Sequence, residues 1–548
     1  MSFFDDASLV MIPSGYKTSK VYSVKPTDGT GDLTFTRSND TATRVGPDGL
    51  IEKVRTNLIL QSETFNNASW TKDSATITAN TTTAPDGTTT ADTLTISDSQ
   101  YIYQSITLTA GVSYTISLYV RVASGTNQFK FNTFGSSNTF ISSTQTATTA
   151  WQRFSFTFTA VGSGSTAIYP LIVDGLAGGS FFIWGAQVET TDFGATPYIA
   201  TTTAAVSVGP VANVPRLDYL NSSCPRLLLE PQRTNALTNS ENFSSGYFST
   251  DVTVTTNTTT SPDGYISADT ITEGTANDLH RVGQNFSAVS GSVYTASLFC
   301  KAGSGTRNLG ILFGCGFGEQ EVVFNVNNGT IVSSTGATGT ITNYGNGWYR
   351  CTATATSDST TNTCVQYQLR SGTLQSYLGN GTSSLIYWGA QVEAGAYATS
   401  YIPTLGAAVT RGADAASLAA LNNADMTFTA FLELEEVPLG GSAADWLNIR
   451  NAATLGRAFG YANQFGFADA YRLAAVSKTK MIWKQESGTT AKIFGDGALL
   501  GTSTSGTYST PFTIFEIIGS SLIKPLRIKQ FIFFANNISD ADCIALTA

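Results

Sequence analysis

The sequence predicts an all-β chain of tandem antiparallel sandwiches, and three observations predict it. Only 13% of the 548 residues are charged and aromatics reach 11%, while Thr, Ser, Gly and Asn fill much of the rest, a balance that favours strands over helices. No stretch keeps a helical spacing of apolar residues over three turns, whereas apolar-polar alternation recurs along the chain. Long runs also occur twice in the same order. At roughly 100–200 residues per domain the length allows three or four domains, each able to bury its own core.

The duplication is wide. "FFIWGAQVE" over Phe181–Glu189 returns as "IYWGAQVE" over Ile386–Glu393, and "RTNLILQSETF" from Arg55 returns as "RTNALTNSENF" from Arg233. "NTTTAPDGTTTADTLT" from Asn80 matches "NTTTSPDGYISADTIT" from Asn257, and "YTISLYVRVASGT" from Tyr114 matches "YTASLFCKAGSGT" from Tyr294. Trp151 pairs with Trp348 and Trp184 with Trp388. Self-similarity in this order marks two homologous modules, residues 31–205 and, with a preceding clasp, residues 206–410. The second copy is longer, and "EVVFNVNNGTIV" ahead of Trp348 reads as an added hairpin around Asn-Asn-Gly.

Alternation assigns faces within the modules. In "YTISLYVRV", Tyr114, Ile116, Leu118, Val120 and Val122 share one side, and Phe154, Phe156 and Phe158 share one side of "RFSFTFT". Turn clusters such as Pro85-Asp86-Gly87 separate such strands, and many of them at short spacing indicate jelly rolls. In the repeated run Phe182, Trp184, Ala186 and Val188 share a face by strict alternation, so the run reads as a closing strand whose tryptophan fills the core. Trp184, Trp388, Trp151 and Trp348 are therefore expected between the sheets; the alternative makes Trp184 and Trp388 sugar-stacking platforms. Cys300 takes the place of Val120 and Cys351 that of Phe154, so both are expected as buried inert thiols, with a Cys300–Cys351 disulfide as the alternative.

Three pieces lie outside the duplication. Residues 1–30 match neither copy and read as an attachment segment, or else a flexible terminus. Apolar and charged runs lead into each Arg-Thr-Asn and read as clasps of their modules. Beyond Asp414, "MTFTAFLELEEV" alternates, with Met426, Phe428, Ala430, Leu432 and Leu434 on one side and Phe431 as an apolar exception on the other. "KMIWKQ", a Gly-Asp-Gly hairpin, a returning strand and "ISDADCIAL" follow. This order over residues 415–548 resembles the laminin-G/concanavalin-A-like lectin sandwich, which implies a core position for Trp483 and no metal ligand, since no Asp/Asn cluster here matches a calcium loop.

The combination "LTFTRSNDTATRVGPDGLIEKVRTNLILQSETF", "CPRLLLEPQRTNALTNSENF", "GNGWYRC", "WGAQVEAGAYATSYIPT" and "VTRGAD" resembles virion fibre and spike proteins of tailed bacteriophages. The resemblance implies a non-enzymatic structural protein with carbohydrate-binding-like jelly rolls, made in the host cytoplasm and displayed on the virion surface. A head fibre or capsid decoration is the first reading and a tail fibre or receptor-binding adhesin the alternative. Expected partners are other virion proteins bound through the N-terminus, further copies of itself as a trimer or next a dimer, and host surface glycans.

Several function classes are disfavoured. A net charge of −9 argues against nucleic acid, and no apolar run approaches a membrane span, so neither is an expected partner. One histidine and no closely spaced cysteine pair leave no zinc pattern, and no cofactor is expected. Asp86 and Asp263 sit in Pro-Asp-Gly turns, which accounts for them by backbone chemistry, and Glu189 and Glu393 read as an exposed face or a salt bridge rather than glycosidase acids. No enzyme is expected; a polysaccharide depolymerase is the remaining alternative. Candidate glycan contacts are Tyr101 and Tyr103 in "DSQYIYQS" and His280 and Arg281 in the corresponding "NDLHRVGQN", where the copies differ while their strands agree.

Overall fold

The computed structural model describes residues 3–315, 317–359, 363–419, 421, 427–435, 445–450, 457–461, 464–467, 471–473, 479–487, 489–504, 512–517, 522 and 525–548. Its strands pair into three two-layered antiparallel sandwiches. In the first, one sheet runs Gln152–Thr159, Ser113–Arg121, Gly179–Glu189, Ala91–Ile96, Thr76–Thr82. Its facing sheet runs Phe140–Ile141, Asn127–Phe134, Gly164–Ile172, Tyr101–Leu108, Thr71–Asp73. From Ala91 onward the long strands alternate between sheets, which is jelly-roll winding. Between the layers lie Tyr114, Ile116, Leu118, Val120 and Val122 with Phe158, Phe129 and Trp70, so the alternation places these strands correctly.

The second module repeats this plan. The expected hairpin is present: Gln320–Asn325 pairs with Thr330–Thr335 at the edge of its sheet. Cys300 and Cys351 are buried free thiols, both pushed up by burial. The disulfide joins Cys315 to Cys364 instead, where Gly314 pairs with Cys364 across two neighbouring strands. Spacing along the chain carries no sign of that pairing.

The third sandwich departs most from expectation, because residues 415–548 do not build it alone. Leu9–Met11 pairs with Leu526–Phe534, in register Leu9 to Phe533, and Leu33–Thr36 pairs with Ala415–Leu418. Arg226–Leu229, ahead of the second module, adds to Leu526–Phe534 as well, with Arg216–Asp218 beside it. The stretch expected as a separate segment over residues 1–30 thus contributes Leu9, Met11 and Val21 to a shared core. Leu9 and Met11 lie between the sheets, while Val10 packs with Phe431 and Cys543 on the outer face. That second cluster accounts for the apolar exception at Phe431. Phe428, Ala430, Leu432, Leu434 and Trp483 occupy the interior as expected, while Met426 lies outside the described residues. Asp496 and Gly497, both at positive φ, turn Ala491–Gly495 into Ala498–Ser503, and Ser539 caps the closing helix Asp540–Thr547.

Candidate functional site

The repeated WGAQVE run is the natural first suspect, and its geometry explains why it recurs. Gly185 and Gly389 sit at φ +65° and +63°, each making a one-residue bulge against the neighbouring strand. The bulge reverses the alternation, so Ile183, Ala186 and Val188 face the core while Trp184 faces outward with Trp151 and Tyr198. Trp388 likewise leaves the core for an outer cluster with Phe299, Trp348 and Tyr401. The expectation that these four tryptophans lie between the sheets is therefore corrected: Trp184, Trp348 and Trp388 are buried, but on the outside of a sheet, and Trp151 is only half-buried.

The polar residues of the run are consumed structurally. Asn57 of Arg-Thr-Asn donates to the Ala186 and Ile199 carbonyls at 3.0 and 2.8 Å and accepts from Val188 N–H at 3.1 Å, and Asn235 does the same at Ala390, Ile402 and Val392. Glu189 accepts from the Thr196 N–H at 2.8 Å and Glu393 from that of Thr399 at 2.9 Å. Both carboxylates are buried, at 2% and 0% exposure, rather than on an open face. The duplicated signature is a lock between module start and module end. It leaves neither carboxylate free for acid–base work.

The four candidate glycan contacts part company. His280 is fully buried, with Nδ1 3.1 Å from the Asp251 carboxylate and Nε2 3.1 Å from the Tyr377 carbonyl, so it is not a surface contact. Arg281 is half-buried and donates to Gln366 Oε1 at 2.6 Å. Tyr101 and Tyr103 stand partly exposed on the outer face of their sheet, and Tyr169 from the adjacent strand joins them. Its ring centroid lies 5.7 Å from that of Tyr101 and 5.0 Å from that of Tyr103. Burial, then the two neighbouring phenols, pushes the Tyr169 hydroxyl up. Asn132 lies opposite Tyr169 on the next strand, Phe134 and Ile141 extend the face with 62% and 48% exposure, and Asp73 pairs with Tyr101 on the far side. The result is an aromatic platform edged by amide, carboxylate and hydroxyl groups. Sequence reasoning missed Tyr169, because its neighbour relation to Tyr103 depends on which strands pair.

The corresponding face of the second module is different in kind. Gly283 stands where Tyr103 would, with Phe248 packed over it, and Gln366 stands where Tyr169 would. Gln368 donates to Gln366 at 2.8 Å, and Arg370 pairs with Glu321 at 2.7 Å, all of these side chains at least mostly buried. The platform belongs to the first module.

No family model and no curated protein matches the chain. Among solved structures it is similar to the N-terminal CBM22-1–CBM22-2 tandem domain of Xyn10C from Paenibacillus barcinonensis, at 12% identity and TM-score 0.23 over 62% of this chain and 97% of that one. The CBM22-1–GH10 modules of Clostridium thermocellum xylanase 10B complexed with xylohexaose match at 19% identity and TM-score 0.21, over 27% of this chain and 30% of that one. A CBM4 structure matches at 17% identity and TM-score 0.17, over 26% of this chain and 88% of that one. Likeness at this level carries no argument about ligands.

Proposed function

We propose that the chain is a non-catalytic glycan-binding structural protein of a tailed-phage virion surface, with the Tyr101–Tyr103–Tyr169 platform as its sugar-binding face. The observation that carries the binding reading is the platform itself. Three rings converge on an outer sheet face, with polar side chains at the margin to take hydroxyl groups. Flat apolar rings stack on the C–H faces of pyranoses, and a partly exposed aromatic cluster on a sheet is otherwise a solvation cost. The virion setting rests on the sequence resemblance described above.

Glycan-array screening of the intact protein, followed by calorimetry on the best ligand, tests the binding. Tyr103→Ala and Tyr169→Ala should each weaken it by about two- to tenfold. A blank array at high multivalency, or affinity unchanged in the double variant, overturns the platform reading. Immunogold labelling of phage particles tests the setting independently.

A further inference from the structure

The two modules carry the same outer aromatic surface, and among the described residues only one copy is covered. On the second module, Phe299, Trp348, Trp388 and Tyr401 are 0–2% exposed. Their cover is a hairpin from the N-terminal clasp, in which Arg44–Val45 pairs with Ile51–Glu52 and Val45 and Ile51 pack into the aromatic cluster. Ile51 N–H donates to the Pro262 carbonyl at 2.9 Å, and Leu50 sits so close to Gly264 that a Cβ there would lie 2.8 Å from its methyl. Lys53 closes the contact, 2.8 Å from Glu241 and 2.7 Å from Asp263, with its ammonium 5.3 Å from the Trp388 ring centroid.

The first module repeats the receiving surface residue for residue. Tyr119, Trp151, Trp184 and Tyr198 correspond to the four rings, Glu63 to Glu241 and Pro85-Asp86-Gly87 to Pro262-Asp263-Gly264. Here Tyr119, Trp151 and Tyr198 are only half-buried, and Pro85, Asp86 and Gly87 are exposed where Pro262 and Asp263 are buried. A Cβ on Gly87 would meet nothing within 4 Å. Among the described residues neither Glu63 nor Asp86 forms an ion pair, and burial followed by Tyr198 and Asp86 acts on the raised Glu63 carboxyl. The acidic pair that holds a lysine on one module stands without one on the other.

We propose that this outer face of the first module is a docking site for a β-hairpin of a separate polypeptide, with aliphatic residues at its tip and a lysine just beyond. The chain itself supplies the template: residues 44–53 meet the same surface chemistry on the second module. Rings and the Pro-Asp-Gly turn take the aliphatic tip, and the paired carboxylates select the cation.

The test uses a head-to-tail cyclised peptide of residues 42–54, fluorescently labelled and titrated into the full chain by polarisation. Saturable binding is expected that weakens with salt. It should fall by about tenfold for Asp86→Asn, whose amide preserves the turn, and by as much for a peptide carrying Lys53→Glu. Absence of binding up to roughly millimolar peptide overturns the proposal, as does binding that neither charge change affects. Tyr103→Ala, on the opposite sheet, should leave peptide binding unchanged; a loss there also overturns it.

Discussion

At Gly185 and Gly389 one backbone torsion decides which way a tryptophan points. A side chain at Gly389 would be strained by φ +63° and would meet the Phe299 ring at 2.8 Å, whereas at Gly185 the nearest ring is Tyr119 at 3.2 Å. Gly389→Ala is expected to destabilise the second module by about 1–3 kcal/mol, and Gly185→Ala by less, in urea unfolding followed by tryptophan fluorescence. Asp269 gives a pH-dependent counterpart. It accepts the Phe243 and Asn257 N–H groups, yet burial pushes it up to about 7 against those bonds. The unfolded chain releases this proton near pH 3.9, so between about pH 4 and about 7 the native state holds more protons and stability falls as pH rises. Asp269→Asn should remove up to roughly 1.4 kcal/mol per pH unit of that slope, seen as a flatter dependence of the unfolding midpoint.

Elements are where alternation reaches its limit. The pattern named the strand faces in both modules, because a half-buried strand writes its two sides directly into every second residue. It misplaced Trp184 and Trp388 because a bulge inserts one residue and reverses parity, and the only trace of that is a glycine beside the tryptophan. The pairing of Leu9–Met11 with Leu526–Phe534 left no local trace, since a strand does not encode its partner. The platform was half legible for the same reason: Tyr101 and Tyr103 share a strand, but Tyr169 joins them only through pairing. Leu9, Val10 and Met11 are each at most 3% exposed, and burial of such side chains contributes about 1.5–3 kcal/mol apiece. Deleting residues 1–12 should therefore loosen the third sandwich while the two modules stay folded. Hydrogen exchange would report it as lost protection along Leu526–Phe534 and unchanged protection in Ser113–Arg121.

Taken as one molecule, the chain is a sandwich with two others inserted into its loops. The first module leaves it after Leu33–Thr36 and returns before Arg216–Asp218; the second leaves after Arg226–Leu229 and returns before Ala415–Leu418. At that crossing lies a buried network: Asp414 pairs with Arg37 at 3.1 Å and with Arg216, and Glu230 holds Arg216 at 2.7 Å and Arg411 at 2.8 Å. Burial alone would raise Glu230, but Arg411, Arg216 and Ser400 hold it well below the usual carboxylate range. Its contribution is thus present above about pH 4 and lost as acid is added. Asp414→Ala leaves the buried Arg37 guanidinium without its carboxylate and Arg216 with Glu230 alone, and should cost about 3–5 kcal/mol, measured as a lower denaturation midpoint with earlier proteolysis between the modules.

Because Leu9 lies opposite Phe533 in an antiparallel pair, the chain leading into Leu9 and the chain leaving Phe534 meet at one edge of the third sandwich. A stretching force applied at those two points would peel a single short seam open pair by pair rather than shear it. The inserted modules lie outside the line of tension, so an optical-tweezers trace should show that seam rupture before either of them extends.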